Sequence, residues 1–310
     1  MKILVTGACG QIGSRISELL LERGDQVLGI DNFATGRRSH LPESHEGLTF
    51  VEGTIADKGL VDKLFDEFVP DVVVHTAASY KDPDDWHNDT LTNCVGGTNL
   101  IQATNRLVGA RFIYFQTALC YGLKPLEQPI TLSHPKFPAN SSYAISKTVT
   151  EDYLEISGLD YVSFRLANVI GPRNVSGPLP IFYQRLTEGK KCFVTTARRD
   201  FVFVGDLANS VIKAVDGTGS GAYHFSSGRD VAIKELYDAV VDSIGFDNYP
   251  EPEIREIGED EAPSILLDPS RTLTDFGPID FTPFPEIIRL GVEYFKEFGV
   301  FGGYTHLKNV

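Results

Sequence analysis

Three glycines near the start constrain this chain more than anything else in it. Gly7-Ala-Cys-Gly10-Gln-Ile-Gly13 lies between a short apolar run, Lys2 to Thr6, and a helical pattern. In that pattern Ile12, Ile16, Leu19 and Leu20 share one face, and Gly24 supplies the stop. A glycine-rich turn between strand and helix lets the backbone approach a pyrophosphate, and the helix N-terminus offers unpaired N–H groups and a positive dipole end. A tight turn without ligand also uses glycines. The strand before and the helix after favour a dinucleotide site. Asp31 closes the next strand, Gln26 to Ile30, 18 residues beyond Gly13. A carboxylate there accepts from an adenosine ribose and repels a 2′-phosphate, which favours NAD over NADP. The nearby Arg37-Arg38 pair reads as a solvated loop.

The first half continues as strand–helix–strand units. Asp71 to His75, Arg111 to Phe115 and Tyr161 to Leu166 are short apolar strands, with helices near Leu60 to Phe68 and Thr92 to Leu107. Parallel neighbours need crossovers, so the fold class is α/β, a doubly wound parallel sheet of Rossmann type. The second half carries prolines in clusters and helices near Leu179 to Glu188, Asp206 to Val215, Ile233 to Ser243 and Glu286 to Phe298. It reads as a smaller mixed α/β substrate domain. The division expected is residues 1–167 and 168–310, with a return strand near 222–226. A length of 310 residues suits two such units.

Composition removes several function classes. The net charge of -14 argues against nucleic-acid binding but allows a small anionic ligand in a locally positive pocket. No run of 18 apolar residues is present, so no transmembrane helix is expected. The first strand begins too early to leave room for a signal peptide. Cys9, Cys94, Cys120 and Cys192 are scattered without a CxxC pair, which suits a reducing cytoplasm. The seven histidines form no HExxH, so no metal is expected.

Tyr143-Ala-Ile-Ser-Lys147 places a phenol and an ammonium on one helical face. A phenol titrates near ~10 and is a poor base at neutral pH. A neighbouring ammonium and a positive nicotinamide ring would favour the phenolate, and Tyr143 then removes a hydroxyl proton. Thr117 follows the strand that begins at Arg111, and a hydroxyl past a parallel strand's C-terminal end is where such sheets keep their sites. It reads either as a contact to the reacting sugar oxygen or as a turn cap. Lys81 reads either as a contact to a sugar hydroxyl or carboxylate or as a solvated loop lysine. His75 reads as packed under the cofactor, and Trp86 as packing within a loop.

These motifs together resemble the extended short-chain dehydrogenases/reductases, the NAD-dependent epimerase/dehydratase family, and in particular bacterial nucleotide-sugar epimerases. The likeness spans TGACGQIGS, DNFATGRRSHL from Asp31, VVVHTAA around His75, NCVGGTNLIQA from Asn93, QTALCYG, YAISK, RLANVIGPR from Arg165 and RRDFVFVGDLA from Arg198. It implies that Gly7, Gly10, Gln11, Ile12 and Gly13 hold the pyrophosphate of NAD and that Asp31 and Asn32 hold its ribose. Thr54 and Ile55 fall beside the adenine, where the family usually has an aspartate at the first position. Ala77, Ala78 and Ser79 match the loop beneath the cofactor, and Asn93 a buried polar position near it. Thr117, Tyr143 and Lys147 match the catalytic triad. Asn168 and Arg199 match residues on the diphosphate of the sugar donor, with Leu179 to Phe182 and Phe193 near the base.

Two departures stand out. The family's second phosphate-binding arginine is missing from Ile257 to Pro263, with Arg255 nearby as the substitute, and the glycine-rich segment before Arg199 is replaced. The resemblance divides by reaction at the two residues after Thr117. Dehydratases carry Asp-Glu there, and decarboxylases usually an acid at the second. Ala118-Leu119 moves no proton, which matches the C4 epimerases: hydride leaves C4 for NAD, the 4-keto sugar turns over, and hydride returns. A 4-ketoreductase is the alternative, then a UDP-uronic acid decarboxylase or a 4,6-dehydratase; a non-catalytic dinucleotide sensor would have lost Tyr143 or Lys147. The resemblance further implies a UDP-sugar partner, a cytoplasmic role in surface-polysaccharide (lipopolysaccharide O-antigen) synthesis, and a homodimer through Thr92 to Leu107 and Tyr143 to Ser157. The sugar stays open, with Ser264 and Ile265 where the family varies its tolerance.

Overall fold

The computed structural model describes residues 1–138, 141–245, 250–259 and 261–304. Strands β1 (Lys2–Thr6), β2 (Gln26–Asp31), β3 (Leu48–Glu52), β4 (Val72–His75), β5 (Arg111–Thr117) and β6 (Asp160–Leu166) come first. Among them run helices α1 (Gln11–Glu22), α2 (Lys58–Phe68), α3 (Trp86–Asp89), α4 (Gly97–Thr104) and α5 (Ser142–Ile156). The later strands are shorter: β7 (Asn168–Ile170), β8 (Phe193–Thr195), β9 (Arg198–Arg199), β10 (Phe201–Phe203), β11 (Gly221–Phe225), β12 (Val231–Ala232), β13 (Glu253–Arg255) and β14 (Ser264–Ile265). With them run α6 (Pro178–Thr187), α7 (Val204–Val215), α8 (Ile233–Ile244), α9 (Ser270–Asp275) and α10 (Phe284–Phe298).

The first six strands and β11 form one parallel sheet, ordered β11-β6-β5-β4-β1-β2-β3. Its central strands are buried on both faces, which is why they read as continuous apolar runs such as VVVH. β3 escaped the sequence reading because LTFVE lies at the sheet edge, half-buried or exposed along its length. The expected helix over Thr92 to Leu107 is a π-helical stretch, Thr90–Gly96, running into α4. Trp86 corrects its expectation: it stands 67% exposed, with its indole N–H on the Pro83 carbonyl.

Among the described residues four apolar clusters form, the smallest around Cys120, Tyr121, Ile130 and Leu267. One lies on the sheet face covered by α1 and α7 and joins Ile16, Leu20, Phe164, Leu207, Val211 and Phe225. The opposite face packs Leu64, Phe65, Leu100, Phe112 and Leu154. The third, around Leu179, Phe182, Leu236, Ile288 and Phe295, joins α6, α8 and α10. The core beneath the sheet therefore takes α7 from well beyond residue 167. Among the described residues, no helix is long and apolar enough to cross a membrane.

From β1 the chain builds outward to β2 and β3, then returns through β4 to build the other way. A crevice opens where that order reverses, at the C-terminal ends of β1 and β4. Gly7 leaves β1 there, and Thr76 leaves β4.

Candidate active site

The crevice continues into a cleft of about 930 Å³ that runs from Gly7 across the sheet ends to Arg199. At the sheet end, the glycines are required by contact. Gly7 has φ +63, and a Cβ there would meet the Ala77 backbone nitrogen at 2.8 Å. A Cβ on Gly13 would fall on the Gly7 carbonyl oxygen. No side chain caps α1 at Gly10, so its first-turn N–H groups face the cleft without a competing acceptor. Gln11 also lines the cleft, and its buried Nε2 has no partner among the described residues. Asp31 accepts from the backbone N–H of Cys9 (2.9 Å) and of Phe33 (2.7 Å), which pins the glycine turn to the end of β2. Burial raises its pKa against those bonds. Its remaining lone pairs are open to a ribose diol.

Arg38 spends its guanidinium on the carbonyls of Leu41, Pro42 and Glu43, and Arg37 stacks on Phe301 at 3.6 Å. Asn32, Thr54, Ile55, Ala77, Ala78 and Ser79 complete this end. Asn93 stands behind the wall: it accepts from Ser79 N–H and donates to Ser79 O and Ser146 Oγ, each at 2.9 Å. It braces the loop against α5 and does not line the cleft.

Thr117, Tyr143 and Lys147 all line the cleft. Thr117 ends β5, and its Oγ1 accepts from Leu119 N–H at 3.2 Å. Of the two sequence readings of Thr117, the turn cap is present, and that bond leaves the hydroxyl proton unused. Ala118 and Leu119 follow as an apolar floor. Tyr143 packs against Tyr80 at 5.4 Å between centroids, and Tyr80 against Tyr304 at 5.4 Å. Lys147, one turn on, sits over the Tyr114 ring with Nζ 4.1 Å from its centroid.

Burial raises the Tyr143 phenol, with Tyr80 and Asp89 adding to it. Burial pulls the Lys147 ammonium down to about 7, against the opposing pull of Glu151. The expected lowering of the phenol by Lys147 is thus not realised by the chain alone, because desolvation dominates both groups. α5 is fixed by a buried network: Glu151 accepts from Ser163 Oγ (2.5 Å) and from Arg165 Nη2 (2.9 Å), both on β6. His75 is fully buried, bonded to Thr6 Oγ1 at 2.8 Å and held well below its usual pKa by burial.

At the far end, Asn168 Nδ2 donates to Asp200 O at 3.1 Å, and Arg199 Nη1 to Ala262 O at 2.7 Å. Arg199 Nη2 pairs with Glu261 at 3.3 Å, and burial lowers its pKa. Phe193 and the exposed Lys81 line the cleft too. Sequence reasoning missed Tyr80, Asp89, Arg173, Arg185 and Glu261, which also line it. Tyr80, Arg173 and Glu261 lie in loops and Asp89 in the short α3, which carry no periodic signal, whereas Arg185 lies on α6, whose helical pattern does not tell which face meets the cleft.

A model of the NAD dependent epimerase/dehydratase family matches residues 3–224. The chain belongs to that family. It is 33% identical to a UDP-glucose 4-epimerase of Mycolicibacterium smegmatis over 270 residues, covering 81% of this chain and 85% of the relative. The Bordetella bronchiseptica enzyme WbmH, crystallised with NAD+, is 70% identical with a TM-score of 0.94, covering 96% of this chain and 99% of that one. WbmG from the same organism, crystallised with NAD and UDP, is 41% identical with a TM-score of 0.91, covering 99% and 98%.

Two departures of this epimerase/dehydratase chain now have physical outlines. Thr54 accepts from Ala56 N–H at 3.2 Å and so holds its own turn, with no carboxylate at this position. Arg255, the candidate for the missing arginine, is exposed and bonded twice to Glu253 (2.9 and 3.1 Å). Its guanidinium lies on the Phe193 ring at 3.9 Å and does not line the cleft. Ser264 bonds Gln128 and Asp230, whereas Ile265 lines the cleft.

Proposed function

We propose that this chain is an NAD-dependent UDP-sugar 4-epimerase, and the observation that carries the reading is one cleft lined by Tyr143, Lys147 and Thr117 together with the apolar pair Ala118-Leu119. The glycine cradle, the uncapped α1 terminus and Asp31 fit NAD. When bound, NAD supplies a reversible hydride acceptor. Thr117 donates its free hydroxyl proton to the sugar O4 and orients it. Tyr143 Oη takes the O4 proton and gives it back. Lys147 supplies positive charge beside the phenol, and the positive nicotinamide ring adds the rest of the shift that burial opposes. Arg199 and Asn168 hold the diphosphate; release from Glu261 frees Arg199 for two phosphate oxygens. No side chain at 118 or 119 removes a second proton, which disfavours loss of water.

The proposal also covers organisation. Residues 1–167 with the return strand hold NAD, and residues 168–310 hold the nucleotide sugar. A homodimer is supported by Leu91, Val95, Ile145 and Tyr153, exposed apolar residues on the π-helical stretch and α5. The same reading, resting on the sequence resemblance, takes in a cytoplasmic role in supplying lipopolysaccharide O-antigen sugars. The test is incubation of the purified protein with a panel of UDP-sugars and no added reductant. Proton NMR should show a sugar of unchanged mass inverted at C4. A product lighter by water or carbon dioxide would overturn the reading, and light-scattering mass fixes the oligomer.

A further inference from the structure

Three arginines line the cleft, and their partners differ. Arg173 is tied to Glu18 and to Ser14 Oγ (3.0 Å). Arg199 is paired with Glu261 at 3.3 Å. Arg185 donates Nε to the Lys191 carbonyl at 2.8 Å and, among the described residues, has no carboxylate partner. The Nε bond fixes the stem, the Cys192 thiol takes a further hydrogen bond, and the rest of the guanidinium's N–H groups face no carboxylate among the described residues. Arg185 lies on α6 one turn after Ile181, so both project from one helical face.

The wall around it is apolar. Ile181, Phe182, Phe193 and Val194 line this part of the cleft. Phe193 is held from one side by the Arg255 guanidinium, which fixes its ring. A phosphate against these side chains would give up its hydration for a single cation. A flat heterocycle keeps its faces on the rings and turns a carbonyl oxygen toward the guanidinium. We infer that Arg185 reads the nucleobase of the substrate, donating to a carbonyl of the pyrimidine, while Arg199 serves the diphosphate. The inference rests on the nucleotide-sugar reading above. It also changes what the missing arginine means: the cleft keeps one guanidinium at the diphosphate and adds another at the base.

The test compares NAD-loaded wild type with Arg185→Met and Arg185→Lys. The probes are UMP and ribose 5-phosphate, which differ only by the base, and binding is followed by ligand-observed NMR. Loss of one charge-assisted hydrogen bond should weaken UMP about 10- to 100-fold in Arg185→Met and leave ribose 5-phosphate unchanged. Arg185→Lys should recover part of the loss. Unaltered NAD content and melting temperature show that α6 is intact. Parallel weakening of both probes would move Arg185 to the phosphate and overturn the inference, as would unchanged UMP binding. If wild type bound neither UMP nor UDP, the nucleotide-sugar reading itself would fail and take this assignment with it.

Discussion

The two ends of the cleft are built by different means. At the sheet end the contacts come from backbone: bare N–H groups of α1, glycines with no room for a Cβ, and one carboxylate already bonded to two main-chain N–H groups. At the far end they come from side chains on short strands and α6, and these are partly engaged with one another, as Arg199 is with Glu261. The first end is pre-organised and leaves no room for a side chain at Gly7 or Gly13. The second must exchange protein partners for ligand, which suits a site that fills and empties at every turnover.

The largest effect should come at the junction of the two ends. Tyr143→Phe is expected to lower turnover by roughly 10²- to 10⁴-fold while NAD content after purification stays at the wild-type level. Retained turnover would remove Tyr143 as the base. Gly13→Val sharpens the contrast next. The new side chain meets the Gly7 backbone, which has nowhere to move, so a loss of about 2–4 kcal/mol in urea unfolding is expected, together with loss of copurified NAD. Normal NAD content in that variant would break the claim that this end is rigid.

Arg199→Met should do the converse. It raises KM for the UDP-sugar about 10- to 100-fold with NAD content unchanged; an equal loss of NAD would show that the two ends are not separable.

The smallest effect is a pH dependence. In NAD-free protein below about pH 7, Lys147 is charged both folded and unfolded, and the fold bears its desolvation. Between about 7 and 10.5 the folded chain has shed a proton that the unfolded chain keeps, so stability rises with pH. Lys147→Met abolishes that rise. Its advantage in melting temperature over wild type should be widest near pH 6.5 and narrow by pH 9. A constant difference would mean that the ammonium is not desolvated.

The same contrast explains what the sequence revealed. The glycine cradle was legible because contact with Ala77 and with the Gly7 carbonyl forces glycine at fixed spacing. The buried strands were legible because burial on both faces leaves only apolar runs. β3 was not, because an edge strand with half-exposed residues loses that pattern. Tyr143 and Lys147 stood out through helical spacing, but the direction of their pKa shifts did not, since desolvation depends on what closes over them. Asn93 was placed near the cofactor without its bracing role, because its partners Ser79 and Ser146 come from separate elements. Arg255 and Arg185 illustrate the limit. Sequence proximity favoured the first, and the fold turns the second into the cleft.

The apolar floor after Thr117 has a mechanical consequence. Ala118 and Leu119 make contacts with no preferred direction, so a sugar ring resting on them can present either face at similar cost. Under the proposed epimerisation, the nucleotide held at a distance is the tether, and the floor is the bearing on which the ring swivels.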